Sequence, residues 1–207
     1  MSTPPRAQSL RIAGPVGGLE ALLEDPQHAP GAGFGVVCHP HPLHGGTMQN
    51  KVVHTLARAL QEQGLPTLRF NYRGVGQSEG TYDEGRGERD DALAVIAWGR
   101  ARWPNAPLVL AGFSFGALVA LYAAPQAQPI RLIMVAPPVS HAPFPDVTPP
   151  TCPWLIVQGE ADELVDYREV QAWAARFTPP PSLRLLAGVD HFFHGRLHEL
   201  RDAVCSS

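Results

Sequence analysis

The sequence predicts an α/β fold: a mostly parallel central sheet with helices on both faces, opened by an N-terminal antiparallel hairpin. Three observations carry this. Short β-branched runs such as GFGVVC (33–38), PLVLAGF (107–113) and PWLIVQG (153–159) are apolar throughout, as strands buried on both faces are. Segments of helical period lie between these runs, and strand–helix alternation implies βαβ units with parallel strands. A serine flanked by glycines, GFSFG (112–116), stands between one such strand and an apolar helix.

In order, SLRIAG (9–14) and GLEALLED (18–25) read as a hairpin joined by Pro15–Gly17. After the strand at 33–38, residues 47–63 read as a helix closed by Gly64. TLRFNY (67–72) is a strand, and 86–102 a helix with Ala92, Val95, Ile96 and Gly99 along one face, stopped before Pro104. The strand at 107–113 feeds the helix FGALVALYAA, ended by Pro125. RLIMVAPP (131–138), PWLIVQG (153–159) and SLRLLAG (182–188) are further strands, with helices at about 166–177 and 194–204. The Pro-rich stretch 137–153 joins two strands without an obvious helix.

The bulk properties narrow the function classes. A chain of 207 residues fits one domain, 1–207, with a substantial core. Hydrophobic content of 44% and charged content of 17% are those of a soluble globular protein. The net charge of −3 gives no basic footprint for nucleic acid. Three widely spaced cysteines make neither a disulfide framework nor a zinc ribbon. The start, MSTPPRAQSL, has no apolar h-region, and ALVALYAA is too short to span a bilayer. The expectation is a cytoplasmic protein acting on a small molecule, with neither nucleic acid nor membrane as partner. Composition says nothing of oligomeric state.

G-x-S-x-G between a strand and a helix has a physical reading. The serine, Ser114, must sit on a sharp turn so that its hydroxyl projects above the strand ends. The glycines avoid Cβ collisions there, and the Phe115 N–H, at the positive end of the helix, is free to donate to an oxyanion. A nucleophilic serine needs a base, and the base an orienting acid. In the chain order Ser, Asp, His, Asp162 follows the strand 153–159 and His191 follows the strand 182–188. The competitors read differently: Glu160 fits the G-x-x-D spacing less well, Asp166 reads as a helix cap with Glu169 as reciprocal partner, Asp190 would have to fold back to reach the neighbouring ring, and His194 reads as a surface or helix-start residue.

HPHPLHGG (39–46) poses a rival chemistry. Its H-x-H-x-x-H spacing resembles the H-x-H-x-D-H signature of metallo-β-lactamase-type hydrolases, with Leu43 where the signature has Asp. A metal-dependent hydrolase built on His39, His41 and His44 is therefore one alternative. A non-catalytic binding protein on the same scaffold is another.

Together HPHPLHGG, NYRGVGQSEG (71–80), GFSFG, GEADELV (159–165) and DHFF (190–193) resemble the α/β-hydrolase fold over about residues 33–200. The chain is similar to small bacterial serine esterases and dienelactone hydrolases without a cap domain, although dienelactone hydrolases proper use cysteine where this chain has Ser114. The resemblance implies a carboxylesterase-like serine hydrolase needing no cofactor and no metal, with a Ser114–His191–Asp162 triad. It also implies that the loop after 33–38 lines the oxyanion hole, where His39-Pro40-His41 replaces the usual H-G-x. Pro40 and Pro42 have no N–H, leaving His41 or Leu43 to donate beside Phe115. Arg73, in the RGVGQSEG loop, reads as a brace. Where capped relatives insert helices, residues 139–152 form a short Pro-rich loop. That predicts an open, shallow cleft suited to short acyl esters, bounded by Leu43, Phe115, Phe144 and Phe192.

Overall fold

A computed structural model describes residues 7–26, 32–141 and 147–206. Eight strands form one sheet in the order β1-β2-β4-β3-β5-β6-β7-β8. The hairpin of β1 (Ala7–Gly14) and β2 (Gly17–Glu24) is antiparallel, and β2 adds antiparallel to β4 (Thr67–Phe70). From β4 onward every pairing is parallel, through β3 (Phe34–Cys38), β5 (Leu108–Phe113), β6 (Arg131–Val135), β7 (Trp154–Gly159) and β8 (Ser182–Leu186). The strand order reverses direction beside β3, so the loops leaving β3 and β5 face a common crevice at their carboxyl ends.

Among the described residues, five α-helices cover the sheet. α1 (Lys51–Glu62) and α5 (Leu197–Cys205) share one face, where Val53, Leu56, Leu60, Leu200 and Val204 are sealed against Val37, Val109 and Ile133. α2 (Arg86–Arg102), α3 (Phe115–Ala127) and α4 (Tyr167–Ala174) cover the other. The expected α2 stripe of Ala92, Val95, Ile96 and Gly99 is the buried one. Each fully buried leucine or valine in these layers contributes roughly 1.5–3 kcal/mol. Among the described residues, no helix is long and apolar enough to cross a membrane.

Several boundaries differ from the sequence reading. α1 begins at Lys51 rather than Thr47, because the Asn50 side chain accepts the N–H groups of Val52 and Val53 and caps the helix there. β4 ends at Phe70, and the Tyr72 N–H donates to His39 Nε2 instead of continuing a ladder. α3 passes through Pro125 to Ala127 and ends where Gln128 turns left-handed. So near the end Pro125 forgoes one helical bond, and burial of Ala127 holds the last turn. α5 starts at Leu197 because Asp190 ties His194 into a turn first, accepting from both its N–H and its ring. Asp166 caps α4, but Glu169 accepts from the Ser140 hydroxyl rather than completing a reciprocal cap.

Two buried ion pairs fasten the loops behind the crevice. Arg69 on β4 joins Glu24 on β2 at 2.7 Å and donates to the Met48 carbonyl. Arg73 lies against Asp91 of α2, its Nε and Nη2 on the two carboxylate oxygens at 3.0 and 2.8 Å, and its own N–H on the same group at 2.9 Å. Arg73 is thus a brace. Removing one partner of such a pair leaves an uncompensated buried charge. We expect Asp91→Ala to cost about 3–5 kcal/mol in denaturant unfolding.

Candidate active site

Ser114 occupies the turn between β5 and α3 with φ 54° and ψ −122°. This is a left-handed position for a residue with a Cβ, and it is held from both sides. The Ser114 N–H donates to the Val135 carbonyl at 2.8 Å, and its carbonyl accepts from the Ala117 N–H at 2.8 Å. The flanking glycines are obligatory. A Cβ on Gly112 would stand 2.0 Å from the Gly116 oxygen, and one on Gly116 would stand 2.4 Å from the Cys38 oxygen. The start of α3 therefore lies directly against the end of β3.

The Ser114 Oγ is 3.2 Å from His191 Nε2, and His191 Nδ1 is 2.8 Å from Asp162 Oδ2. The His191 ring is 3% exposed and packs between Phe113 and Phe192. Its backbone N–H donates to Glu163 at 3.4 Å. Asp162 accepts at Oδ1 from the N–H groups of Leu164 and Val165, at 2.9 and 2.8 Å. Burial works to raise the Asp162 pKa. The hydrogen bond and charge of His191 and the two backbone N–H groups outweigh it, so the carboxyl is held below its ordinary value and stays ionised. A carboxylate at Oδ2 only accepts, so Nδ1 carries the hydrogen and Nε2 is left to accept from the serine hydroxyl. Asp190 and Asp166, the competing acids, are engaged elsewhere, with His194 and with α4.

The loop after β3 makes a 3₁₀ turn, Pro42–His44, capped by His41. The Leu43 N–H donates to His41 Nδ1 at 3.2 Å, so that donor is already occupied. His41 Nε2 meets the Tyr82 hydroxyl at 3.1 Å, and the His41 ring lies 4.9 Å from that of Phe115. As the first residue of α3, Phe115 has an N–H without an intrahelical acceptor.

Comparison with known proteins places this arrangement. The family model described as "Serine aminopeptidase, S33" matches residues 41–150, which include His41 and His44 of the histidine-rich loop and the serine turn. The chain belongs to the α/β serine hydrolases. It is 44% identical to XC6422 of Xanthomonas campestris, an α/β serine hydrolase without a lid, over 99% of this chain and 94% of that one, with a TM-score of 0.92. An α/β serine hydrolase homologue from Coxiella burnetii is 47% identical over 96% of each chain, with a TM-score of 0.93. The uncharacterized protein RP471 of Rickettsia prowazekii is 35% identical over 186 residues, 85% of this chain and 78% of that protein.

The hydrolase is lidless in the same sense as XC6422. Among the described residues, the connection from β6 to β7 holds only the 3₁₀ turn Val139–His141. A cleft of 560 Å³ opens at Ser114, walled by Tyr82, Phe115, Leu118, Pro138, Leu164 and Val165. That is ordinary for a small-molecule site. The walls correct the sequence reading in part. The Leu43 side chain is 67% exposed and lines neither this cleft nor its neighbour. Phe192 lines an adjoining 100 Å³ space that shares Ser114, His191 and Leu164 with the cleft and is also lined by Gly45, Gly46 and Asn50. Phe144 lies outside the described residues. Leu118, one helical turn beyond Ser114, was recoverable from the period of α3. Tyr82 gave no sequence signal, because its place depends on how the 73–81 loop folds back.

The three histidines do not converge on one point. His39 is fully buried, with Nδ1 on the Pro40 carbonyl at 2.7 Å and Nε2 accepting from the Tyr72 N–H at 3.1 Å. Both of its nitrogens are therefore engaged. His44 stacks on His41 and donates its N–H to the His41 carbonyl. Among the described residues, no group of three or more His, Cys, Asp or Glu could hold a metal ion. Burial pushes the His39 pKa down to about 3, against the Pro40 hydrogen bond, which acts to raise it. The sign follows: the folded state holds this ring neutral, whereas the unfolded chain protonates it near 6.5. The stabilisation is full above pH 6.5 and is lost as pH falls towards 3, by up to about 1.4 kcal/mol per unit. His39→Leu should be less stable than the parent at pH 7, with a flatter loss of stability on acidification, measured by denaturant unfolding at stepped pH.

Proposed function

We propose that the protein is a carboxylesterase-like serine hydrolase that cleaves short acyl esters through a Ser114–His191–Asp162 triad and an acyl-enzyme. The observation that carries this reading is the unbroken line from Ser114 Oγ to His191 Nε2 and from His191 Nδ1 to Asp162 Oδ2, at 3.2 and 2.8 Å. His191 takes the serine proton as Oγ attacks the acyl carbonyl, and Asp162 stabilises the imidazolium that forms. The oxyanion is met by the N–H groups of Phe115 and His41. The Leu43 N–H already donates to His41 Nδ1, which favours His41 over Leu43 in that role. Loss of one such donor typically costs about 2.7–4 kcal/mol of barrier. The tetrahedral intermediate collapses as His191 returns its proton to the departing alcohol. Water, deprotonated by the same ring, then releases the acid and restores Ser114. No metal or organic cofactor takes part.

Esters are favoured over amino-acyl amides by the cleft wall. An aminopeptidase must anchor a free amine. Among the described residues lining the cleft, Glu84 is the acidic one, and it already faces Arg86 at 3.3 Å. At the other end, the His41 Nδ1 acceptor role puts the ring hydrogen on Nε2, where it donates to Tyr82. The Tyr82 hydroxyl hydrogen is left to meet an oxygen on the substrate.

Ser114→Ala should abolish both ester hydrolysis and fluorophosphonate labelling without changing the circular dichroism spectrum. Hydrolysis at the parental rate would refute the triad. Each buried methylene adds roughly 0.8 kcal/mol of binding, but only while there is apolar wall to meet it. In a lidless cleft that gain stops after a few carbons. Across 4-nitrophenyl esters from acetyl to palmitoyl, kcat/KM should peak between acetate and hexanoate and show no jump in micelles. A value still rising at palmitoyl would require a deep acyl tunnel.

A further inference from the structure

β7 is buried along its entire length, and its penultimate residue is a glutamine. Gln158 is fully buried in an otherwise apolar strand. Its amide nitrogen faces three oxygens: Asp162 Oδ2 at 2.9 Å, the Gly159 carbonyl at 3.2 Å and the Val165 carbonyl at 3.3 Å. Three acceptors on one side fix the orientation of the amide, because the flipped group would set an oxygen against all of them. The consequence is at the other end, where Gln158 Oε1 is buried without a partner among the described residues. A leucine here would suit the strand and remove the unpaired Oε1, at the expense of the donor to the Val165 carbonyl. A buried polar group in an otherwise apolar strand, carrying an unpaired acceptor, points to a functional constraint.

The constraint is visible at Asp162. Its Oδ1 is fixed by two backbone N–H groups, whereas Oδ2, the oxygen facing His191, has Gln158 as its second donor. We infer that Gln158 is a positioning residue, holding Asp162 Oδ2 in line with His191 Nδ1 so that the imidazole stays aimed at Ser114. It also binds the Val165 carbonyl, so one amide spans both ends of the loop 160–165 that carries the acid. This rests on the triad reading above and adds a residue that the reading does not need for proton transfer itself.

The test uses Gln158→Met, of matching length, and Gln158→Leu, with Asp162→Asn alongside. With 4-nitrophenyl butanoate, both Gln158 variants should lose roughly tenfold or more in kcat, with KM within about twofold, since the substrate never touches this side chain. Without its second donor, the carboxylate gains proton affinity and stabilises the imidazolium more strongly, so the acid limb of the kcat/KM profile moves to higher pH. Fluorophosphonate labelling should slow in parallel, and Tm should change little, because removal of the unpaired Oε1 offsets the lost donor to the Val165 carbonyl. Should Gln158→Leu fail to fold, Gln158→Met carries the test alone. An unchanged kcat and acid limb in Gln158→Met, with Asp162→Asn inactive, overturns the positioning role alone. So does a loss of kcat that follows a fall in Tm with the acid limb unmoved. Full activity in Asp162→Asn overturns the triad reading, and the inference with it.

Discussion

The left-handed turn at Ser114 is the constraint on which the rest of the site depends. A residue with a Cβ at φ 54° is strained by about 1–3 kcal/mol, and the strain persists only where surrounding structure over-determines it. Here the determinants are physical neighbours. The Val135 carbonyl on β6 receives the serine N–H, and the Gly112 and Gly116 backbones approach so closely that neither tolerates a methyl group. Contact of Gly116 with the Cys38 and His39 carbonyls brings the start of α3 to the end of β3. That contact sets the histidine loop beside the serine and fixes its distance from Phe115. A sheet with β3 and β5 as parallel neighbours is what makes the approach possible.

The second determinant is polar. His39 acts as a strut between the β3 loop and the segment after β4, and Arg73 with Asp91 pins that segment to α2. Ser78 and Glu79 reach back to the hairpin at Glu20 and Gly18. The Tyr82 ring is therefore delivered to the cleft by a chain of hydrogen bonds rather than by a regular element.

These two kinds of determinant explain what could be read from the chain alone. Strands buried on both faces announce themselves by apolar runs, and the α2 stripe by its period, so the layer order was legible. GFSFG was legible because its glycines answer a steric demand local to one turn. Asp162 and His191 were legible because this sheet collects polar residues at strand ends. Side-chain destinations over long separations were not. Leu43 is apolar and close in sequence to the oxyanion loop, yet a 3₁₀ turn directs it to solvent. Phe192 adjoins His191 but borders the smaller adjoining space rather than the larger cleft. The start of α1 was misread by a few residues because the Asn50 side-chain cap overrode propensity.

The short β6–β7 connection has a kinetic meaning as well as a steric one. A capped enzyme couples each turnover to opening and closing, and such motions set many turnover numbers. With no cap to move, the proposed cycle has no gating step, so its rate is set by bond making at Ser114 and by diffusion of small molecules. In the proposed cycle the same openness would remove control over which nucleophile reaches the acyl-enzyme. In mixed solvents water and small alcohols would enter the crevice on equal terms, and the acyl group would partition between hydrolysis and transfer according to their concentrations and reactivities.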